Sequence, residues 1–140
     1  MNWKQPKVYA VKHKDEMTRA ASRSGGIFTA LSDQVLSNGG VVYGCVLTEE
    51  FDAEERNRMR GSKYIQSKLG DTFKSVKTDL DAKKSVLFSG TSCQVAGLKK
   101  YIGKEYDNLF CVDIVCHGVP SKKVWNAYLR WQEQKNHSKV

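Results

Sequence analysis

Apolar residues in this chain fall into short runs separated by charged and glycine-rich stretches, and the spacing within the runs changes along the sequence. Residues 7–11 (Lys-Val-Tyr-Ala-Val) read as a first short strand. Residues 12–23 are polar and predict a loop or a poorly regular helix. From Ile27 to Leu36 the apolar positions take helical spacing, and Gly39-Gly40 provides the stop, since glycine readily adopts the left-handed conformation. Residues 41–47 (Val-Val-Tyr-Gly-Cys-Val-Leu) are the clearest strand. Residues 48–60 are dense in charge and predict a loop with a short helix, and residues 61–67 a turn-like basic and aromatic segment. Residues 72–82 predict a helix with Phe73, Val76 and Leu80 on one face. Residues 86–88 read as a buried strand, Ser89-Gly90-Thr91 as a tight polar turn, and residues 94–101 as a helix. Residues 109–115 form another apolar strand. The last helix begins near Lys122 with Ser121 as its N-cap and carries Val124, Tyr128 and Trp131. Strands alternating with helices predict a single α/β domain over residues 1–140, built on a mixed, largely parallel sheet.

Charge changes this picture modestly. Lys and Arg number 23 against 15 acidic residues, a net charge of +8 that suits an anionic partner. The basic residues are scattered, however, and a solvated basic surface explains them equally well; without a clustered stripe they argue against nucleic acid. No apolar run approaches the roughly 20 residues of a membrane span. The first residues lack the apolar core of a secretory signal, so the cytoplasm is the expected compartment.

Four cysteines, Cys45, Cys93, Cys111 and Cys116, carry the candidate redox or metal chemistry. None forms a Cys-x-x-Cys pair, so local spacing alone builds neither a zinc site nor a ferredoxin-type cluster. Cys45 and Cys111 lie inside apolar strands and read as core residues. Cys93 and Cys116 each follow a predicted strand; if those strands are parallel neighbours, about 4.8 Å apart, both sulfurs emerge at one sheet edge. His117, beside Cys116, is a candidate catalytic acid or base, a ligand, or a stacking group. Paired with Cys93 it would make a nucleophilic thiol site, although no third orienting residue is evident. Ser24-Gly25-Gly26, Gly61-Ser62-Lys63-Tyr64 and Ser89-Gly90-Thr91 are glycine-hydroxyl turns able to present backbone N–H groups to a phosphate. Lys63, Tyr64 and Gln66 add a point charge, a flat ring and a two-sided amide.

Four motifs then occur in order: Ser-x-Ser-Gly-Gly at 22–26, Gly-Ser-Lys-Tyr-x-Gln-Ser at 61–67, Leu-Phe-Ser-Gly-Thr-x-Cys-Gln at 87–94 and Val-Asp-x-Val-Cys-His-Gly-Val-Pro-Ser at 112–121. They resemble the N-terminal part of the core of the coenzyme F-420 hydrogenase/dehydrogenase beta-subunit family, which are flavoprotein iron–sulfur electron carriers. The resemblance implies FAD and a four-iron four-sulfur cluster, with electrons passing to a redox partner protein or a deazaflavin. It implies flavin contacts at Ser24, Gly25, Gly26, Lys63, Tyr64, Gln66, Ser89, Gly90, Thr91 and Gln94, and cluster ligands at Cys93 and Cys116. The sequence departs from the family at Ser92, where proline is usual, and at Arg23, where serine is usual. The stretch between Leu47 and Arg60 is shortened. Family members commonly carry a ferredoxin-like cysteine segment before this core and a second half with a Cys-x-x-Cys pair after it. The resemblance therefore implies that the remaining cluster ligands lie outside this chain.

Three functions follow from these readings: a flavin-dependent oxidoreductase or electron-transfer subunit, a non-redox basic module binding nucleotides or nucleic acid, and a thiol enzyme using Cys93 with His117.

Overall fold

The computed structural model describes residues 5–22, 24–45 and 67–139. Their elements run α1 (Glu16–Ser22), α2 (Ile27–Ser37), β1 (Val41–Tyr43), α3 (Thr72–Asp81), β2 (Val86–Thr91), α4 (Ser92–Ile102), β3 (Leu109–Ile114) and α5 (Lys122–Asn136). The strands form one open sheet in the order β1-β2-β3, and both pairings are parallel. The α/β class is as the alternation predicts, and the sheet is parallel throughout the described residues.

Side-chain alternation along β2 divides the core between two faces. Val86 and Phe88 point to one face and cluster with Val76 and Leu80 of α3 and with Val95, Leu98 and Ile102 of α4. This confirms the helical face predicted for residues 72–82, with Phe73 packed at the cluster's margin. Leu87 points to the opposite face and is also buried, and α2 packs along β1 and β2. On β3 the residues in register with Leu87 and Thr91 are Phe110 and Ile114. Both remain about half exposed, at 53% and 49%, so the cover on this face stops short of the edge strand.

The joins are set by local chemistry. The α2–β1 link needs glycine twice: Gly39 sits at φ 73°, and a Cβ on Gly40 would lie 2.5 Å from the Ser85 carbonyl oxygen. At the same point the Val41 N–H donates to that carbonyl at 2.8 Å, aligning β1 with β2. The Tyr43 hydroxyl donates to Asp79 Oδ2 at 2.6 Å and holds β1 to α3. Asn108 Nδ2 donates to the carbonyls of Leu80 and Lys84, fixing the end of α3 beside the start of β3. Ser121 caps α5 as expected, its Oγ accepting from the Val124 N–H.

Several expectations are corrected. Residues 7–11 form no strand: they run exposed and without a ladder, Val8 at 89% and Tyr9 at 71%. Ser89-Gly90-Thr91 is not a turn but the last half of β2, because β3 supplies ladder partners as far as Thr91. The chain passes from Thr91 directly into α4, which starts two residues earlier than predicted. Cys45 lies two residues beyond β1 and not in its interior. The predicted segment at 48–66, with Lys63, Tyr64 and Gln66, lies outside the described residues.

Candidate functional site: the carboxyl edge of the sheet

In open parallel sheets ligands gather outside the carboxyl ends of the strands, and this chain places its chemistry there. α4 starts at the end of β2. α2 runs into β1 through the short link at residues 38–40 and packs along it, which turns its own N-terminus towards the same edge. Two helix N-termini and the carboxyl ends of all three strands therefore share one side of the fold.

Both thiols follow the carboxyl ends of adjacent strands. Thr91 and Ile114 are the last register pair of β2 and β3, and Cys93 and Cys116 each stand two residues past it. Both cysteines are free and exposed. Parallel pairing of the two strands, on which the expectation of a shared edge depended, is thus present. Each sulfur has a polar hydrogen close by. The Thr91 hydroxyl lies 3.2 Å from Cys93 Sγ, and the Gly118 N–H donates to Cys116 Sγ at 3.3 Å. Contacts of this kind tune a sulfur that binds metal. Gly118 reaches its donor position at φ 117°, a conformation open to glycine alone, so the Cys-His-Gly turn depends on that residue type.

The turn is braced from the helix side. Ser92, the first residue of α4, donates through Oγ to Asp113 Oδ1 at 2.8 Å and links the two strand ends. Gln94 accepts from the Thr91 N–H at 3.0 Å through Oε1 and donates through Nε2 to Ser67 Oγ at 2.9 Å. Thr91 and Gln94 form a capping box, so Gln94 has a structural task at the head of α4. Gly90 leaves room for it: a Cβ there would come within 3.0 Å of Gln94 Oε1.

The other glycine turn also meets its own chain. A Cβ on Gly25 would lie 2.9 Å from the Val11 carbonyl oxygen, and one on Gly26 would lie 3.0 Å from His13 Cβ. The His13 N–H donates to the Gly25 carbonyl at 2.6 Å, so residues 11–13 rest against the head of α2. Gly26, at φ 72°, caps α2 without offering a side chain. Ser24 is exposed beside it, while Ser89 is half-buried within β2.

The remaining cysteines differ from one another. Cys111 packs at the margin of the core, as expected of a strand cysteine, and burial pushes its thiol above the ordinary value; Lys99 opposes the shift and Asp113 adds to it. Cys45 is half-buried at the carboxyl end of β1, a position the apolar pattern alone does not predict. The signal was Gly44, which follows the three strand residues and marks where the apolar run leaves the sheet.

The hydroxyl of Thr91 is a hydrogen-bond partner of the Cys93 sulfur. His117 is exposed on the turn after β3, next to Cys116. Among the described residues no group of three or more His, Cys, Asp or Glu is placed to hold a metal ion.

Residues 83–140 match the family model for the C-terminal part of the coenzyme F420 hydrogenase/dehydrogenase beta subunit. This is the family that the four motifs resemble. The match covers β2, α4, β3 and α5, with Cys93, Cys116 and His117 inside it, and falls short of half the chain. Ser24, Gly25 and Gly26 lie ahead of it. No curated protein and no solved structure gives a significant match. No helix among the described residues is long and apolar enough to cross a membrane.

Proposed function

We propose that the chain is the core of an oxidoreductase electron-transfer subunit, with FAD and an iron–sulfur cluster as its cofactors and a redox partner protein or a deazaflavin as its exchange partner. The observation that carries this reading is that Cys93 and Cys116 each stand two residues past the last register pair of adjacent parallel strands, within the matched segment. The cytoplasm suits exposed free thiols of this kind.

The two cofactors fit the described residues to different degrees. Two thiolates do not hold a four-iron four-sulfur cluster, which takes four. Cys93 and Cys116 would supply half of its ligands. For the flavin, Gly26 leaves the head of α2 without a side-chain cap; residues 11–13 rest against that turn, so a phosphate would bind the backbone N–H groups that those residues leave open. Ser24 and Gly25 stand beside that point. Ser89, Gly90, Thr91 and Gln94, at the end of β2 and the start of α4, would orient the ring system, and the resemblance implies further flavin contacts from Lys63, Tyr64 and Gln66 of the second motif. A bound flavin supplies the hydride and single-electron chemistry. The protein's own residues bind its phosphates, hold its orientation and keep Cys93 and Cys116 at a fixed spacing. His117, exposed beside Cys116, would exchange protons with solvent as the candidate acid or base.

The test is anaerobic reconstitution with FAD, iron and sulfide of this chain expressed within a longer reading frame that supplies the two further thiolates, followed by the visible spectrum and iron analysis. Flavin absorption together with bound iron that falls in Cys93→Ser and Cys116→Ser supports the reading. Neither flavin nor iron in the reconstituted chain would end it.

A further inference from the structure

Helix α5 stands apart from the rest of the fold because it buries none of its residues. Its apolar positions nonetheless form a stripe. Val124, Tyr128 and Trp131 follow one another at helical spacing and are 60%, 46% and 51% exposed. The rings of Trp125 and Tyr128 lie 5.8 Å apart and those of Tyr128 and Trp131 6.1 Å apart, so the aromatic side chains support one another. Gln132 Nε2 donates to the Tyr128 hydroxyl at 2.8 Å, and Lys135 Nζ sits 5.0 Å from the Trp131 ring centroid. The stripe is ordered before anything binds it, which lowers the entropic cost of an encounter.

We propose that this face of α5, anchored by Tyr128 and Trp131, docks an acidic protein that exchanges electrons with the subunit; the proposal rests on the electron-transfer reading above. Charge selects the occupant. The helix carries Lys122, Lys123, Arg130 and Lys135 against Glu133, in a chain of net charge +8. A second copy would bring two such surfaces together and be repelled, whereas an acidic surface would be steered in. A lipid surface suits the stripe less well. Trp125 and Leu129 are already half-buried, so the exposed apolar strip is three side chains long, and its aromatic edge carries a hydroxyl and an ammonium group. Trp, Tyr and Arg are the residue types that dominate protein interfaces. Exposed Ile114, Val115 and Val119 continue apolar surface along the segment that holds Cys116 and His117. The helix begins six residues after Cys116, so a partner seated here would meet the chain close in sequence to that thiol.

The experiment is a calorimetric titration of the full chain, without cofactors, with a purified acidic two-iron ferredoxin at low ionic strength. The expected result is binding that weakens with added salt. Tyr128→Ala and Trp131→Ala should each weaken it about tenfold or more. Lys123→Glu combined with Arg130→Glu should abolish it while far-UV circular dichroism shows the helix intact. Absence of binding, or equal binding by the wild type and the double aromatic variant, overturns the proposal. So does binding to phosphatidylglycerol vesicles in place of the ferredoxin, or self-association that Trp131→Ala abolishes. Because no cofactor is needed, these outcomes are separate from the reconstitution test of the electron-transfer reading.

Discussion

Replacing Gln94 by alanine separates the architectural part of the carboxyl edge from its ligand-binding part. Gln94 makes two hydrogen bonds, from the Thr91 N–H and to Ser67 Oγ, and its side chain lies against Gly90. Truncation removes the acceptor for a half-buried backbone donor at a helix start, a loss of about 1 kcal/mol. It also removes the amide–hydroxyl bond to Ser67, worth about 1 kcal/mol net. The expected destabilisation of Gln94→Ala is therefore about 2 kcal/mol, or a fall in Tm of about 8 °C for a chain of this size. Gln94→Glu keeps an acceptor for Thr91 and lacks the donor to Ser67, so it should lose about half as much. Combining Gln94→Ala with Ser67→Ala should give less than the sum of the single effects, by the strength of the shared bond. Urea unfolding followed by circular dichroism measures all three. A change in Gln94→Ala of under 0.5 kcal/mol, within the range of about ±0.5 kcal/mol seen at ordinary surface sites, would refute the structural role assigned to this residue.

Two further expectations concern titrating groups. Iodoacetamide at mildly alkaline pH should label Cys93 and Cys116 before Cys111, since the first two are exposed and burial holds the third in its thiol form; peptide mass spectrometry gives the order, and early labelling of Cys111 contradicts the packing described. The Asp79 carboxyl lies below its ordinary value, chiefly because the Tyr43 hydroxyl and then Lys84 bond to it. A lowered folded value means its contribution is complete above the unfolded value of about 3.9 and is lost as the pH falls through the folded value. Asp79→Asn should thus be less stable than wild type at neutral pH and lose less on acidification below about pH 4; parallel acid limbs for the two proteins would count against the assignment.

The sequence and the fold agree where the apolar pattern alone decides the outcome. Val76 and Leu80 face the core as their spacing requires, Ser121 caps α5, and the strands around Phe88 and Cys111 pair in parallel. They disagree where tertiary contacts override local preference. Ser89-Gly90-Thr91 has turn chemistry, yet a neighbouring strand gives its backbone ladder partners and Gln94 occupies the space above Gly90. Residues 7–11 have strand chemistry, yet no ladder receives them. The candidate site was legible at Cys93 and Cys116 because a cysteine just past an apolar run points to a strand end. It was not legible at Gly25 and Gly26, where room for a ligand and room for residues 11–13 leave the same trace in the sequence.

The parallel register also sets an order of assembly. Val86 meets Leu109 across β2 and β3, whereas Val41 meets Val86 across β1 and β2, after a span of chain about twice as long. Closing the longer loop costs roughly 0.6 kcal/mol more in chain entropy, and the shorter crossover brings its own helix, α4, to cover the strands it joins. The β2–α4–β3 unit is thus positioned to act as the folding nucleus, with β1 and α2 added afterwards. Core truncation at Leu98 should slow folding, and truncation at Val42 should chiefly speed unfolding; the reverse pattern in stopped-flow kinetics would exclude this order. Cys93 lies inside this early unit and Cys116 two residues past its end, so both thiols are tied to it before the remainder of the sheet has formed.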